Sequence, residues 1–167
     1  MKILLVGAGA RENALAWKLG KSQLLTELFV WPGNPVSRTM ATPVDLPKSA
    51  SFQELYKYIS EHQIKGIVCG PEAPLADGMA DFFNTKSIPV FGPIKTAAEL
   101  ESSKAFAKEV MFAAGIPTAN YKLAKNENEC REVSTQMLKT GGAVIKASGL
   151  AGGKGVFVCT EEAQIDE

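Results

Sequence analysis

Residues 3–19 read ILLVGAGARENALAWKL, and this stretch decides the fold of the first part of the chain. The apolar run at residues 3–6 predicts a short strand buried on both faces, because no polar residue alternates with the apolar ones. Residues 11–19 mix apolar and polar side chains and end at Gly20, which indicates a helix. A glycine-rich turn at residues 7–9 joins the predicted strand to the predicted helix.

The alternation of strand and helix continues along the chain. Further strands are predicted at residues 28–31, 67–69 and 88–91, and helices at 52–59, 75–83 and 96–114, the last with a break near Ser102. This βαβαβ order predicts an α/β, Rossmann-like domain with a parallel sheet, because parallel neighbours need a crossover that is usually helical. Ligands bind such sheets at the carboxyl ends of the strands, where this chain has Gly7, Pro32, Gly70 and Gly92.

From about residue 116 the pattern becomes α+β. The predicted elements are a helix at 126–138 with Asn126 as N-cap and Glu129 completing a capping box, strands at 143–147 and 156–159 in a hairpin, and a final helix at 160–163. Two strands and one helix make a poor independent domain. We therefore predict a domain at 1–93, a linking helical segment at 94–115 and an incomplete, truncated domain at 116–167.

Composition excludes some functions. The 167 residues contain 18 lysines and arginines and 18 aspartates and glutamates, which argues against a general nucleic-acid binder, since that needs a basic face. The three cysteines form no CxxC pair and His62 has no second histidine to share a metal, so no zinc or redox site is expected. No segment resembles a leader peptide or a membrane span, so we expect a cytoplasmic protein without a membrane partner.

The first candidate site is the turn at residues 7–13, where free N–H groups and the helix dipole favour an anion. A dinucleotide-binding turn would have a third glycine in place of Glu12 and an acidic residue where the sequence has Pro32-Gly33-Asn34. A nicotinamide-dependent oxidoreductase is therefore disfavoured. Two interpretations stay equally supported: a site for a smaller phosphate, with Arg11 as an added cation, or a tight turn that only packs helix on sheet.

The second candidate site is the loop SGLAGGKG at residues 148–155. A Walker A loop would need glycine in place of Ser148, serine or threonine in place of Gly155, and a following helix, so this is not a P-loop. A hairpin lid over phosphates needs glycines for close backbone approach and a nearby cation, which Lys146 and Lys154 supply. The alternative for Lys154 is a solvated loop tip.

The third candidate is Glu72, within GPEAPL at residues 70–75. A carboxylate at the carboxyl end of a strand can accept hydrogen bonds from sugar hydroxyls. A rigid turn with a solvated glutamate explains the same pattern, and the residues alone favour that simpler interpretation.

Seven strings of residues occur in an order that is typical of one family. They are GAGARENALAW (7–17), PGN (32–34), GPEAPL (70–75), FGP (91–93), LESSKAFAK (100–108), IPTA (116–119) and KASGLAGGKGV (146–156). Together they resemble the phosphoribosylamine–glycine ligases, or glycinamide ribonucleotide synthetases, which are ATP-grasp enzymes. Each string alone is modest, but seven in register over nearly the whole chain are specific.

The resemblance implies a pre-ATP-grasp domain, a linker helix and an incomplete ATP-grasp lid subdomain. It implies a reaction of purine biosynthesis that joins glycine to phosphoribosylamine through glycyl phosphate, with ATP cleaved to ADP and phosphate. The implied substrate contacts are Gly9, Ala10, Arg11, Glu12, Asn13, Pro32, Gly33, Asn34 and Glu72. The implied ATP contacts are Lys104, Lys146, Gly149, Gly152, Gly153, Lys154 and Gly155, and no catalytic residue is assigned.

Three features argue against activity of this chain alone. Family members are much longer, and the resemblance implies that the adenine contacts and the acidic ligands of Mg²⁺ or Mn²⁺ belong to a missing C-terminal ATP-grasp half, so we expect no metal ligand here. Where the family has the string GGREH, this chain has Ala10 in place of the second glycine and Asn13 in place of the histidine. Ser148 stands where the family has aspartate. The alternative function is a non-catalytic or degenerate binding module of the same fold.

Overall fold

The computed structural model describes residues 1–152 and 154–165, and the chain divides into two units, residues 1–98 and 99–167. Each unit has its own sheet, and the predicted boundaries at residues 93 and 115 stay a prediction. Among the described residues, no helix has both the length and the apolar character that crossing a bilayer requires.

The first unit is a parallel sheet with helical crossovers. Its elements are β1 (Lys2–Gly7), α1 (Ala10–Leu19), β2 (Glu27–Pro32), α2 (Ser37–Met40), β3 (Thr42–Pro43), α3 (Phe52–Glu61), β4 (Ile67–Cys69), α4 (Glu72–Ala76), α5 (Met79–Asn84), β5 (Val90–Phe91) and the start of α6 (Lys95–Ser102). The strand order is β3-β2-β1-β4-β5, and every neighbouring pair is parallel. The predicted parallel α/β fold is confirmed.

The central strand β1 is buried on both faces. Leu4 and Val6 belong to the apolar cluster on one face, with Leu55 and Ile59 of α3, whereas Leu5 belongs to the cluster on the other face, with Ala16 of α1. Side chains alternate across a strand, so a strand covered on both faces needs apolar residues at every position. This packing accounts for the continuous apolar run and fixes the carboxyl end of β1 beneath α1.

One prediction for the first unit needs correction, and two short elements were missed. The single helix predicted at residues 75–83 is two helices, α4 and α5, because Gly78 between them has a left-handed backbone (φ +94°). The short elements α2 and β3 were not predicted. β3 has only two residues, and its place in the sheet depends on pairing with Phe29 and Val30 of β2, which no local pattern reveals.

The second unit contains the end of α6, then α7 (Lys104–Ala113), α8 (Glu127–Leu138), β6 (Ala143–Lys146) and β7 (Val156–Cys159). The predicted break near Ser102 is confirmed: Ser103 is the N-cap of α7, and its hydroxyl accepts a hydrogen bond from the N–H of Phe106. The Asn126 cap and the antiparallel β6–β7 hairpin are also confirmed, but the predicted capping box is not, because the Glu129 carboxylate accepts from the N–H of Lys125 and not from that of Asn126. The final helix predicted at 160–163 is instead a 3-10 helix, Glu162–Ile165.

Candidate functional site

A pocket of about 600 Å³ opens in the first unit at the carboxyl ends of β1, β2 and β4. Its walls are residues 6–12, Trp31 and Pro32, Lys48, and residues 71–74. This is the edge of the sheet at which parallel α/β folds bind ligands. Two of the three sequence-derived candidate sites, the turn at 7–13 and Glu72, therefore contribute to one cavity.

Glu12 is a buried carboxylate at the base of this pocket. Glu12 belongs to the first turn of α1 and is only 3% exposed. Its Oε2 accepts a hydrogen bond of 2.6 Å from the N–H of Gly9, the residue that caps the helix. A Cβ on Gly7 would lie 2.6 Å from Glu12 Cγ, and a Cβ on Gly70 would lie 2.7 Å from its Cδ. The two glycines thus make the space that the carboxylate fills, which holds the β1–α1 turn against the loop after β4.

Arg11 and Glu72 meet at the rim of the pocket. Arg11 Nη1 donates a hydrogen bond to the carbonyl oxygen of Gly70 and lies 3.9 Å from Glu72 Oε2. Both side chains are substantially exposed, 64% and 44%, so the ion pair contributes little to stability. Its effect is positional: the guanidinium is held beside the loop after β4, next to the Glu72 side chain, which lines the cavity.

Asn34 joins the loop after β2 to the turn after β1. Its Nδ2 donates to the carbonyl oxygens of Ala8 (3.0 Å) and Gly9 (3.3 Å), while its Oδ1 accepts from the N–H groups of Val36 (2.8 Å) and Ser37 (3.0 Å). The amide has both donors and acceptors, so a single side chain satisfies backbone groups of two loops. Asn34 therefore supports the part of the pocket wall formed by Ala8 and Gly9 without lining the cavity itself.

Position 33, beside Asn34, requires a glycine. Its φ is +68°, its N–H donates to Gly7 O at 3.1 Å, and a Cβ there would lie 3.0 Å from Val30 Cγ1. A side chain would combine left-handed backbone strain with a steric clash. The PGN string thus has a structural reason independent of any ligand.

The structure gathers most of the substrate contacts implied by the resemblance. Residues 9–12, Pro32 and Glu72 line the cavity. Asn13, Gly33 and Asn34 do not line it, and Asn13 Oδ1 is buried without a hydrogen-bond partner among the described residues. Sequence reasoning missed three wall residues, Val6, Trp31 and Lys48, because apolar strands and a polar loop carry no local signal for a shared pocket.

Cys69 lies at the end of β4 next to this site. Its thiol donates to the carbonyl oxygen of Pro71 (3.4 Å). Burial, and then the charges of Glu12 and Glu72, raise the pKa of the Cys69 thiol to about 12. The nucleophilic species is the thiolate, so Cys69 is a structural thiol rather than a reactive one.

Alkylation rates should reflect this burial. We expect iodoacetamide at pH 8 to label the half-buried Cys130 at least about tenfold faster than Cys69, because only roughly one Cys69 in 10,000 is thiolate at that pH. Mass spectrometry of peptides quenched over time measures both rates. In urea the rates should converge, and equal rates in native buffer would contradict the buried thiol.

The second unit brings the predicted ATP contacts partly together. Lys104 Nζ, at the start of α7, donates a hydrogen bond of 2.8 Å to the carbonyl oxygen of Gly149. The loop is shaped by hydrogen bonds from Lys154 N–H to Ala151 O and from Ala147 N–H to Gly155 O, both 2.9 Å. Gly149, Gly152 and Gly155 have positive φ values of +106°, +56° and +70°.

The remaining predicted contacts of this site are Lys146 and Gly153. Lys146 is exposed at the end of β6, opposite Val156, and Gly153 lies outside the described residues. Among residues 1–152 and 154–165, no cluster of three or more histidine, cysteine or acidic side chains could hold a metal ion. Within the described residues, the structure thus shows Lys104 hydrogen-bonded to the glycine-rich loop at Gly149.

Comparison with protein families matches both units. Residues 1–101 match "Phosphoribosylglycinamide synthetase, N domain", and residues 102–166 match "Phosphoribosylglycinamide synthetase, ATP-grasp (A) domain". The two matches follow one another along the chain and change over within α6, close to the division at residue 98.

Relatives and solved structures agree with these matches. The chain is 43% identical to phosphoribosylamine–glycine ligase of Rhizobium meliloti over 160 residues, 95% of this chain and 37% of the relative. It is 44% identical over 162 residues to that of Neisseria meningitidis, with the same coverage of 95% and 37%. The crystal structure of the Thermotoga maritima ligase superposes with a TM-score of 0.74 at 31% identity over 99% of this chain and 38% of that one.

A more distant structure shares the fold. An ADP complex of N5-carboxyaminoimidazole ribonucleotide synthetase superposes with a TM-score of 0.72 at 20% identity, over 99% of this chain and 42% of that one. The chain spans a little over a third of the length of the ligases that it matches.

Proposed function

The chain belongs to the phosphoribosylglycinamide synthetase family, and from that premise we propose that its first unit binds phosphoribosylamine and the product, glycinamide ribonucleotide. The reaction proposed for the whole protein joins glycine to phosphoribosylamine through glycyl phosphate, with cleavage of ATP to ADP and phosphate. The observation that carries the proposal is the pocket of about 600 Å³ at the carboxyl edge of the parallel sheet.

The chemistry of the pocket walls suits a phosphoribosyl compound. The start of α1 lines the cavity, and the first N–H groups of a helix have no partner within the helix, so they can donate to a phosphate. Glu72 at the rim can accept hydrogen bonds from the ribose hydroxyls, and Arg11 beside it holds that carboxylate in place. Glu12 is occupied with the Gly9 N–H, so its proposed part is to support the turn.

We further propose that the glycine-rich loop of the second unit covers the phosphates of ATP. Glycines with positive φ let the backbone approach a phosphate closely, and Lys104 is already tethered to the loop at Gly149. Lys146 and Lys154 are further cations of this proposed site. A divalent metal, Mg²⁺ or Mn²⁺, would neutralise the phosphates during transfer in the whole protein.

Titration calorimetry with glycinamide ribonucleotide tests the substrate site. We expect saturable binding, and we expect Arg11→Ala and Glu72→Ala each to weaken it about tenfold, the effect of losing one hydrogen bond to a charged group. Lys18→Ala is the matched control, because Lys18 is exposed on the same helix and does not line the pocket. Absence of saturable binding to the unmodified chain would overturn the proposal.

A further inference from the structure

Lys48 has a defined place in the pocket wall although it lies in a loop. It follows Pro47 in a turn closed by a hydrogen bond of 2.9 Å from the N–H of Ala50 to Pro47 O. Leu46 and Ala50, on either side of the turn, pack against the buried core of the first unit. The backbone that carries Lys48 is therefore anchored at both ends, and its side chain lines the cavity.

The next residues anchor this turn to a helix. Ser51 is the N-cap of α3, with its hydroxyl accepting from the N–H of Glu54, and the Glu54 carboxylate accepts from the Ser51 N–H at 2.7 Å. Such a reciprocal cap fixes the direction in which the chain enters a helix. The backbone at Lys48, three residues before Ser51, is thus held relative to the pocket, and the exposed side chain extends from it.

The charged groups of the pocket wall differ in their existing partners. Arg11 bonds to Gly70 O and pairs with Glu72, and Glu12 accepts the Gly9 N–H. Within residues 1–152 and 154–165, the structure records no hydrogen bond or ion pair for the side chain of Lys48. Lys48 is therefore the cation of this wall whose charge is not already engaged.

We propose that Lys48 binds the phosphate group of the phosphoribosyl ligand and makes the pocket selective for ribonucleotides over the corresponding ribosides. An ammonium group on a flexible stem is a compact charge that suits phosphate, and the start of α1 lines the same cavity with N–H donors. This assignment rests on the proposed function of the pocket. In this assignment Lys48 makes the main electrostatic contact with the phosphate, and Arg11 positions Glu72.

The test compares two ligands on the 167-residue chain by calorimetry: glycinamide ribonucleotide and glycinamide riboside, which lacks the phosphate. We expect Lys48→Met to weaken the ribonucleotide about tenfold or more and to leave the riboside unchanged, since a charge-assisted hydrogen bond to phosphate is lost. Lys48→Arg should restore most of the difference. Lys57→Met is the matched control, because Lys57 is exposed on α3 and does not line the pocket.

The remaining outcomes separate the two proposals. If the unmodified chain binds neither ligand, the proposed function fails and the assignment of Lys48 fails with it. If the unmodified chain prefers the ribonucleotide and Lys48→Met keeps that preference, only the assignment of Lys48 is overturned. An equal loss in Lys48→Met and Lys57→Met would also overturn it, because the effect would then be one of net charge.

Discussion

Replacing Gly70 by alanine should lower the free energy of unfolding of the first unit by about 3 kcal/mol, the combined effect of overpacking and of a displaced buried hydrogen bond. The added Cβ would lie 2.7 Å from Glu12 Cδ and closer still to Oε1. Glu12 cannot swing into solvent, because it is 3% exposed and its carboxylate is bonded to the Gly9 N–H. The clash therefore transmits to the β1–α1 turn.

Urea denaturation followed by tryptophan fluorescence measures this effect, because both tryptophans, Trp17 and Trp31, lie in the first unit. Gly20→Ala is the control: Gly20 has an ordinary right-handed backbone (φ −61°), so its change should stay within about 1 kcal/mol. A Gly70→Ala change no larger than that of the control would contradict the packing of Glu12 against Gly70.

A double-mutant cycle shows whether Glu12 causes the loss. In a Glu12→Ala background the space beside Gly70 is open, so adding Gly70→Ala should cost much less than in the unmodified chain. We expect a coupling of about 2 kcal/mol, within the range for residues in contact. Additive effects of the two substitutions would place the strain elsewhere than at the carboxylate.

Local pattern was sufficient for the elements whose burial is complete. The strand at the start of the chain is covered by helices on both faces, so every residue from Leu4 to Val6 had to be apolar, and the sequence shows it. The break at Ser103 and the cap at Asn126 were also predictable, because a capping side chain is a local device. Where structure depends on neighbours distant in sequence, as for the two-residue β3 beside Phe29, pattern gave no signal.

In the site, too, local pattern identifies single residues but not the contacts between residues distant in sequence. Arg11 lies in a turn whose glycines mark it as a candidate anion site, whereas for Glu72 the residues alone favour a solvated glutamate and only the resemblance implies a substrate contact. The two residues are 61 positions apart in the sequence, and the sheet brings Arg11 Nη1 within 3.9 Å of Glu72 Oε2. The resemblance implies that Glu12 is a substrate contact. Its burial against Gly7 and Gly70 gives it a structural role that the local sequence does not reveal. That role explains why a carboxylate occupies the place of a third glycine.

Asn34→Ala should destabilise the first unit by about 2 kcal/mol and also weaken glycinamide ribonucleotide binding about tenfold. The substitution removes two acceptor contacts, to the N–H groups of Val36 and Ser37, and two donor contacts, to the carbonyl oxygens of Ala8 and Gly9. The first pair stabilises the loop after β2, and the second holds the turn that lines the pocket. Urea denaturation and calorimetry measure the two effects separately.

Asn34→Asp distinguishes these two contributions, because a carboxylate keeps the acceptor oxygen for Val36 and Ser37 but cannot donate to Ala8 or Gly9. We therefore expect Asn34→Asp to retain more stability than Asn34→Ala while losing as much affinity. Asn84→Ala, on the exposed end of α5, is the control and should change neither quantity. Full affinity in Asn34→Asp would show that the turn keeps its shape without the amide, and that residues 7–12 form the ligand-binding wall without support from the neighbouring loop.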